Sequence, residues 1–254
     1  MNYHQAAELL DQAASNAQSV AQLMHSRSFN LEEAYAIQSI SIGRRLTRGE
    51  RITGMKLGFT SKAKMEQMGV HDMIWGRLTD AMVYEHGSEL QKSKFIHPRA
   101  EPEIAFRLAR TIDQPLQLDT ASDYVDAVAV AIEVIDSRYQ NFKFSLEDVI
   151  ADNCSSSAYV LGEWLPVETK ITDIPMALQI DGAIVHAGNS NAILGNPWES
   201  MVNAARLALE HGIVLEAGQV VLAGAATAAV YLETGQEVSA MAEGLGTVKI
   251  KVRS

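Results

Sequence analysis

Cysteine is nearly absent from this chain: Cys154 is the single one in 254 residues. An intrachain disulfide is thereby excluded, and a reducing cytoplasm is the expected setting. Positive charge is also in deficit, with 21 Lys and Arg against 31 Asp and Glu and a formal net charge of −10. A broadly negative surface argues against nucleic acid or an anionic membrane as a partner. No stretch reaches membrane-spanning length without Gly, Gln or charge. The opening Met-Asn-Tyr-His-Gln-Ala-Ala-Glu-Leu-Leu has neither a basic segment nor a continuous apolar run, so no signal peptide is expected. A G-x-G-x-x-G after an early strand is missing as well, which disfavours a Rossmann domain. The seven histidines are scattered without metal-ligand spacing, and His97 before Pro98 reads as structural.

What is present is an apolar content of 47%, enough for one large domain or a domain with an appendage. Residues 1–50 read as a helical region. Ala6, Leu9 and Leu10 begin an amphipathic helix, and Ala13, Ala14 and Ala17 extend its small-residue face. Asn30 caps a second helix, with Glu33 at the capping-box position. Leu31, Tyr35, Ile42 and Leu46 follow at helical spacing, interrupted by Gln38, and Arg44, Arg45 and Arg48 suit the helix end. Residues 51–254 are richer in strands. Residues 52–60 read as a strand with close backbone approach at Gly54 and Gly58, and Thr60 or Ser61 caps a short helix through Met68. Further strands are expected over 176–180, 219–223, 228–232 and 247–252. Asp181-Gly182 marks a hairpin turn, and a helix over 198–211 lies between Asn196-Pro197 and Gly212. This pattern predicts an α+β fold: a helical N-terminal region, then a mostly antiparallel β-rich domain.

The strongest chemical signal is Glu101-Pro102-Glu103 together with Glu133, a lone charge in Ala-Val-Ala-Val-Ala-Ile-Glu-Val-Ile. Residues two apart on a strand point to one face, so Glu101 and Glu103 share a side. Free carboxylates in an apolar run are costly. Two arrangements answer that cost: a shared hard cation such as Mg²⁺ or Mn²⁺, or pairing with the nearby Arg99, Arg107 and Arg138. Lys56, in Met-Lys-Leu, is either an inward ammonium near these carboxylates or a lysine reaching out from a strand edge. If its role is chemical, replacing it by Met should spare thermal stability. Asp80 is a candidate acid/base or a turn residue, and Arg138 a candidate clamp for a substrate carboxylate or a partner for a glutamate. The polar loop around Ser155 and the Gly224–Ala229 segment with Thr227 read either as pocket lining or as plain turns. Cys154 has no evident histidine partner and is no catalytic thiol.

Four segments together resemble the fumarylacetoacetate hydrolase superfamily: residues 54–60, residues 97–105, Glu133-Val134-Ile135-Asp136-Ser137-Arg138 and Ala151-Asp152-Asn153. Within it the four segments resemble the hydratase/decarboxylase branch, residues 134–144 look most like its decarboxylases, and the resemblance covers essentially the whole chain. The resemblance implies a helical N-terminal region before a β-roll that holds Mg²⁺ through Glu101, Glu103 and Glu133. It places Lys56 beside the substrate, gives Asp80 an acid/base role, and makes Leu57, Arg138, Ser155 and Thr227 substrate contacts. It further implies a 2-oxo dicarboxylate substrate, a homo-oligomer, and a complex with the hydratase of the same pathway. The chain departs from the pattern at Asn196, where histidine is frequent, and at Cys154, where alanine is common.

Overall fold

The computed structural model describes residues 1–61, 65 and 72–254. The short helix expected up to Met68 lies outside the described residues. Two helices, α1 (Tyr3–Asn16) and α2 (Leu31–Thr47), account for most of the N-terminal region. Each opens with a capping box, Asn2 with Gln5 and Asn30 with Glu33, which satisfies backbone N–H groups that a helix start leaves open. Ala6, Ala7 and Leu10 of α1 and Ala34 and Ile37 of α2 pack against Val149 and Ile150 of α3 (Leu146–Ala151) and against Tyr139. The helices therefore dock on the later part of the same chain. Gln38, the polar break in the α2 stripe, is buried; its amide donates to the carbonyls of Trp75 (3.1 Å) and Ile150 (2.9 Å). The arginines at the end of α2 do more than complement its dipole. Arg44 and Arg48 donate at 2.7–2.9 Å to Asp11, a carboxylate of α1 that is 3% exposed.

Strands begin at Ile52, and among the described residues they form two sheets. The larger runs β2 (Ile74–Thr79), β1 (Ile52–Gly58), β11 (Val220–Ala225), β5 (Arg99–Leu108), β6 (Val125–Ile135), β7 (Ser156–Leu161) and β3 (Val83–Tyr84). On this sheet β12 (Val230–Tyr231) also pairs with β5, and β8 (Leu165–Pro166) with β6. The smaller runs β10 (Ala183–Asn189), β9 (Pro175–Ile180), β13 (Glu237–Ala242), β14 (Gly246–Arg253) and β4 (Glu89–Gln91). Pairing is parallel in β1–β11, β3–β7 and β4–β14 and antiparallel elsewhere. The strand expected over 228–232 shrinks to the two residues of β12.

Ile104 and Phe106 of β5 and Val128, Val130 and Ile132 of β6 share a core with Val238, Ala240, Val248, Ile250 and Val252 of the smaller sheet. One face of the larger sheet is thereby committed to packing. On its other face Ala105, Ala129 and Ala131 keep the side chains small. Gly54 permits the parallel contact of β1 with β11, since a Cβ there would lie 1.9 Å from the Val220 carbonyl oxygen. The Asp181-Gly182 turn joins β9 to β10 with φ values of 51° and 80°, both positive as a type I′ hairpin requires. The helix α4 (Trp198–Glu210) starts with Asn196 accepting from the Trp198 N–H and is tied to β11 by Ser200, which donates to the Ala223 carbonyl at 2.7 Å. No described helix is long and apolar enough to cross a membrane.

Asp11 provides a test of the helical docking. Its two arginines hold its carboxyl below the ordinary range although burial opposes them. Asp11→Ala should cost about 1.5–3 kcal/mol at pH 7, as for loss of hydrogen bonds to a charged group. Because the folded pKa is depressed, that contribution is complete above the unfolded value of 3.8 and fades as pH falls below it. Urea denaturation of both proteins at pH 7 and pH 3 checks the size and the convergence.

Candidate active site

Strand register assembles the site. In the antiparallel β5–β6 pair, Glu101 lies directly opposite Glu133 and Glu103 opposite Ala131. Directly paired residues point to the same side, and Glu103 joins them by the two-residue period. All three carboxylates therefore leave the small-residue face. They are 7%, 1% and 0% exposed, and one oxygen from each lies within 4.8 Å of the others. Pro102 sits between them in an interior strand, normally an unfavourable place for a residue without an N–H. Its carbonyl accepts from the Ala226 N–H, on the side where the β11 ladder is interrupted between Leu222 and Ala225. In an antiparallel strand the missing N–H faces that same interruption, so no ladder bond is lost.

The arginine-pairing alternative does not describe the cluster. Arg107 donates to Asp126 and Arg138 to Asp152, while Arg99 stacks on Phe142 and Tyr231. Among the described residues the cation paired with the cluster is Lys56, 4% exposed, whose Nζ lies 3.0 Å from Glu133 Oε2 and donates to the Cys154 carbonyl at 3.4 Å. Its ammonium is buried, not reaching out from an edge. Burial alone would lower its pKa, but Glu133 and then Glu103 outweigh burial and raise it, so the lysine stays charged. Glu103 Oε2 accepts from the Gly224 N–H at 2.8 Å. Gly224 has φ +105°, and a Cβ there would lie 2.1 Å from Thr60 Oγ1, so glycine is required at this contact.

Among the described residues, Lys56 forms its ion pair with one of the three carboxylates, Glu133. The carboxyl of Glu103 is pushed well above its usual range, first by burial and then by Glu133. Glu103 Oε1 and Glu133 Oε1 are buried without a hydrogen-bond donor among the described residues. Buried oxygens of Glu103 and Glu133 without a donor among the described residues, in an all-oxygen set, fit a hard divalent cation. Glu101, Glu103 and Glu133 are the residues that would hold it.

The neighbouring wall is conformationally unusual. Asn153, Cys154 and Ser155 have φ of 49°, 52° and 58°, three successive non-glycine residues in the left-handed region. Such residues cost on the order of 1–3 kcal/mol each and persist where the surroundings enforce them. Here Asn153 exchanges two hydrogen bonds with the Arg77 backbone (2.7 and 2.9 Å). The result aims the Cys154 carbonyl at Lys56 and leaves Ser155 Oγ buried beside the pocket without a partner among the described residues. Burial pushes the Cys154 thiol up to about 12, and the thiol donates to the Trp75 carbonyl, so it is no nucleophile.

Lys56, Leu57, Glu101, Ser155 and Thr227 all line a pocket of roughly 700 Å³. Leu57 does so with its side chain in the core. Two sequence candidates lie elsewhere. Asp80 accepts from the backbone N–H and Nε of Arg51 at 2.9 and 3.0 Å, a strand-end role, and is not part of this lining. Arg138, 3% exposed, is enclosed by Asp152, the Asp136 carbonyl and Ser157, so its charge braces the loop and is not offered to a ligand. Sequence reasoning missed the walls contributed by Arg99, Phe59, Phe142 and Phe144. The two-residue period from Glu101 back to Arg99 was the available signal for the first; no comparable signal marks the phenylalanines.

Comparison with known proteins agrees with this geometry. Residues 54–253 match the model of the fumarylacetoacetate (FAA) hydrolase C-terminal family. A 4-oxalocrotonate decarboxylase of Pseudomonas sp. is 47% identical over 248 residues, covering 98% of this chain and 97% of that protein. A 2-keto-4-pentenoate hydratase of Burkholderia vietnamiensis is 38% identical over 222 residues, covering 85% and 84%. The structure of 4-oxalocrotonate decarboxylase from Pseudomonas putida G7, complexed with magnesium and adipate, superposes with a TM-score of 0.95 at 33% identity, covering 98% and 97%. The chain belongs to the fumarylacetoacetate hydrolase family. Within it, the chain is an enzyme of the hydratase/decarboxylase branch.

Two measurements test the cluster. Mg²⁺ should raise the melting temperature of the wild type by mass action, and Glu103→Gln should abolish most of that rise. A melting temperature indifferent to Mg²⁺ and Mn²⁺ would remove the metal assignment. The Lys56–Glu133 pair also revises the expectation that Lys56→Met spares stability. Removing one partner of a buried ion pair costs roughly 3–5 kcal/mol, so the metal-free variant should unfold at lower urea, with a smaller loss at saturating Mg²⁺.

Proposed function

We propose that this enzyme decarboxylates 2-oxo-3-hexenedioate (4-oxalocrotonate) to 2-hydroxypenta-2,4-dienoate and CO₂, with Mg²⁺ or Mn²⁺ held by Glu101, Glu103 and Glu133. The observation that carries the reading is the charged Lys56 set against three convergent buried carboxylates, with Lys56 and Glu101 in the pocket lining. The relative that is 47% identical, named for this reaction, supports it, as does the relative with magnesium and a six-carbon dicarboxylate bound.

The chemistry follows from the substrate. Its distal carboxylate is vinylogous to a β-keto acid. Breaking the C5–C6 bond releases CO₂ and sends the electron pair through the alkene to the C2 oxygen, which then takes a proton. The bound cation would supply Lewis acidity at the 2-oxo end. Lys56, held by Glu133 and the Cys154 carbonyl, adds positive charge where the enolate oxygen develops. Ser155 Oγ, buried and unpartnered among the described residues, offers a hydroxyl to the same end of the substrate. Thr227 and the backbone at Leu57 contribute further lining. Self-association, a complex with the pathway hydratase and a cytoplasmic setting belong to the same proposal.

Lys56→Met at saturating Mg²⁺ should lower kcat about a hundredfold or more, as for loss of one oxyanion-stabilising group; near wild-type kcat would make the lysine structural. The reaction itself is read by products. CO₂ should appear rapidly from 2-oxo-3-hexenedioate, with little hydration of 2-hydroxypenta-2,4-dienoate. Formation of 4-hydroxy-2-oxopentanoate from the dienoate, without CO₂ from the diacid, would instead make the chain a hydratase like its 38% identical relative.

A further inference from the structure

The proposed substrate carries a second carboxylate at its far end, and Arg138, the arginine first expected to meet it, is enclosed by Asp152. Arg99 occupies the required place. It lies two residues before Glu101 and four before Glu103, on the same face of β5, and lines the same pocket. At about 3.3 Å per residue the strand sets Arg99 roughly 6.6 Å and 13 Å along from the two glutamates. An extended six-carbon diacid has five carbon–carbon bonds of about 1.5 Å and spans roughly 6 Å between carboxyl carbons. The spacing of Arg99 from Glu101 along the strand is thus comparable to the length of such a molecule.

The guanidinium is held ready. Its central carbon lies 3.9 Å from the Phe142 ring centre and 4.2 Å from that of Tyr231, and one terminal nitrogen donates to the Tyr231 hydroxyl. Arg99 Nε is buried without an acceptor, and no carboxylate forms an ion pair with Arg99 among the described residues. Asp136 fixes the approach to this strand by accepting from the Ile96 and His97 N–H groups at 2.8 and 2.7 Å. Lys143, next to Phe142 in the same lining, is exposed at the surface. We infer that Arg99, stacked between Phe142 and Tyr231, is the specificity-determining residue that receives the distal carboxylate of a 2-oxo dicarboxylate. This rests on the substrate class proposed above. Two aromatic faces already temper the cation's charge, which suits a group that must orient a carboxylate without holding it against departure as CO₂.

The test uses saturated analogues, which lack the alkene and so do not decarboxylate: 2-oxohexanedioate and its monoacid counterpart 2-oxohexanoate. Both are titrated by calorimetry into the full-length protein with saturating Mg²⁺. Arg99→Gln should weaken the diacid about tenfold to a hundredfold, the scale of a lost charge-assisted contact, and leave the monoacid within about twofold. With the true substrate, the loss should fall mainly on KM. The unchanged monoacid is also the control for folding. Equal loss of both ligands, or loss of neither, overturns the assignment. A wild type that releases no CO₂ from the unsaturated diacid, yet loses its diacid preference in Arg99→Gln, would sink decarboxylation while leaving Arg99 as the diacid reader.

Discussion

Glu101 facing Glu133 across an antiparallel pair is the constraint on which much of the structure depends. Like charges directly opposed on a buried sheet face are unfavourable twice, through repulsion and through lost hydration. The surrounding structure meets that demand piece by piece. β1 brings a lysine to the same face, the β11 bulge turns the Gly224 N–H onto Glu103, and the same bulge accommodates Pro102. The other face of β5 and β6 carries Ile104, Phe106, Val130 and Ile132 into the core between the two sheets. A one-residue slip of register would exchange these faces. Packing and site geometry are therefore fixed by the same alignment.

The N-terminal helices bear on the site although none of their residues lines the pocket. Ile74 and Cys154 belong both to the helical cluster and to the pocket wall. Gln38 bonds the carbonyls of Trp75 and Ile150, and so spans the strand and the helix on either side of the left-handed run at Asn153–Ser155. The helical layer thus buttresses a strained loop from behind, which is where strain needs an enforcing contact.

Much of this was legible in the sequence. Period-two spacing placed Glu101 and Glu103 on one face, and the lone glutamate in the β6 run marked the third carboxylate of the cluster. Asn30 with Glu33, Asp181-Gly182 and Asn196-Pro197 announced their caps and turns because those signals are local. Non-local facts were out of reach. Nothing near Asp80 in sequence shows that Arg51, at the start of the neighbouring strand, engages it, or that Asp152 closes around Arg138. Lys56 could not be assigned inward until the register with β11 and β2 was known. The phenylalanine wall arises from positive φ at Phe59, Asn141 and Phe142, conformations that no side-chain pattern announces.

The chain's one sulfhydryl has a consequence outside catalysis. With its pKa pushed up to about 12, and its hydrogen engaged by the Trp75 carbonyl, Cys154 presents almost no thiolate at neutral pH. Peroxides and electrophilic small molecules attack thiolates, so the loop beside Lys56 is chemically silent toward them. The pocket wall beside Lys56 contains sulfur yet is insulated from redox traffic in its surroundings.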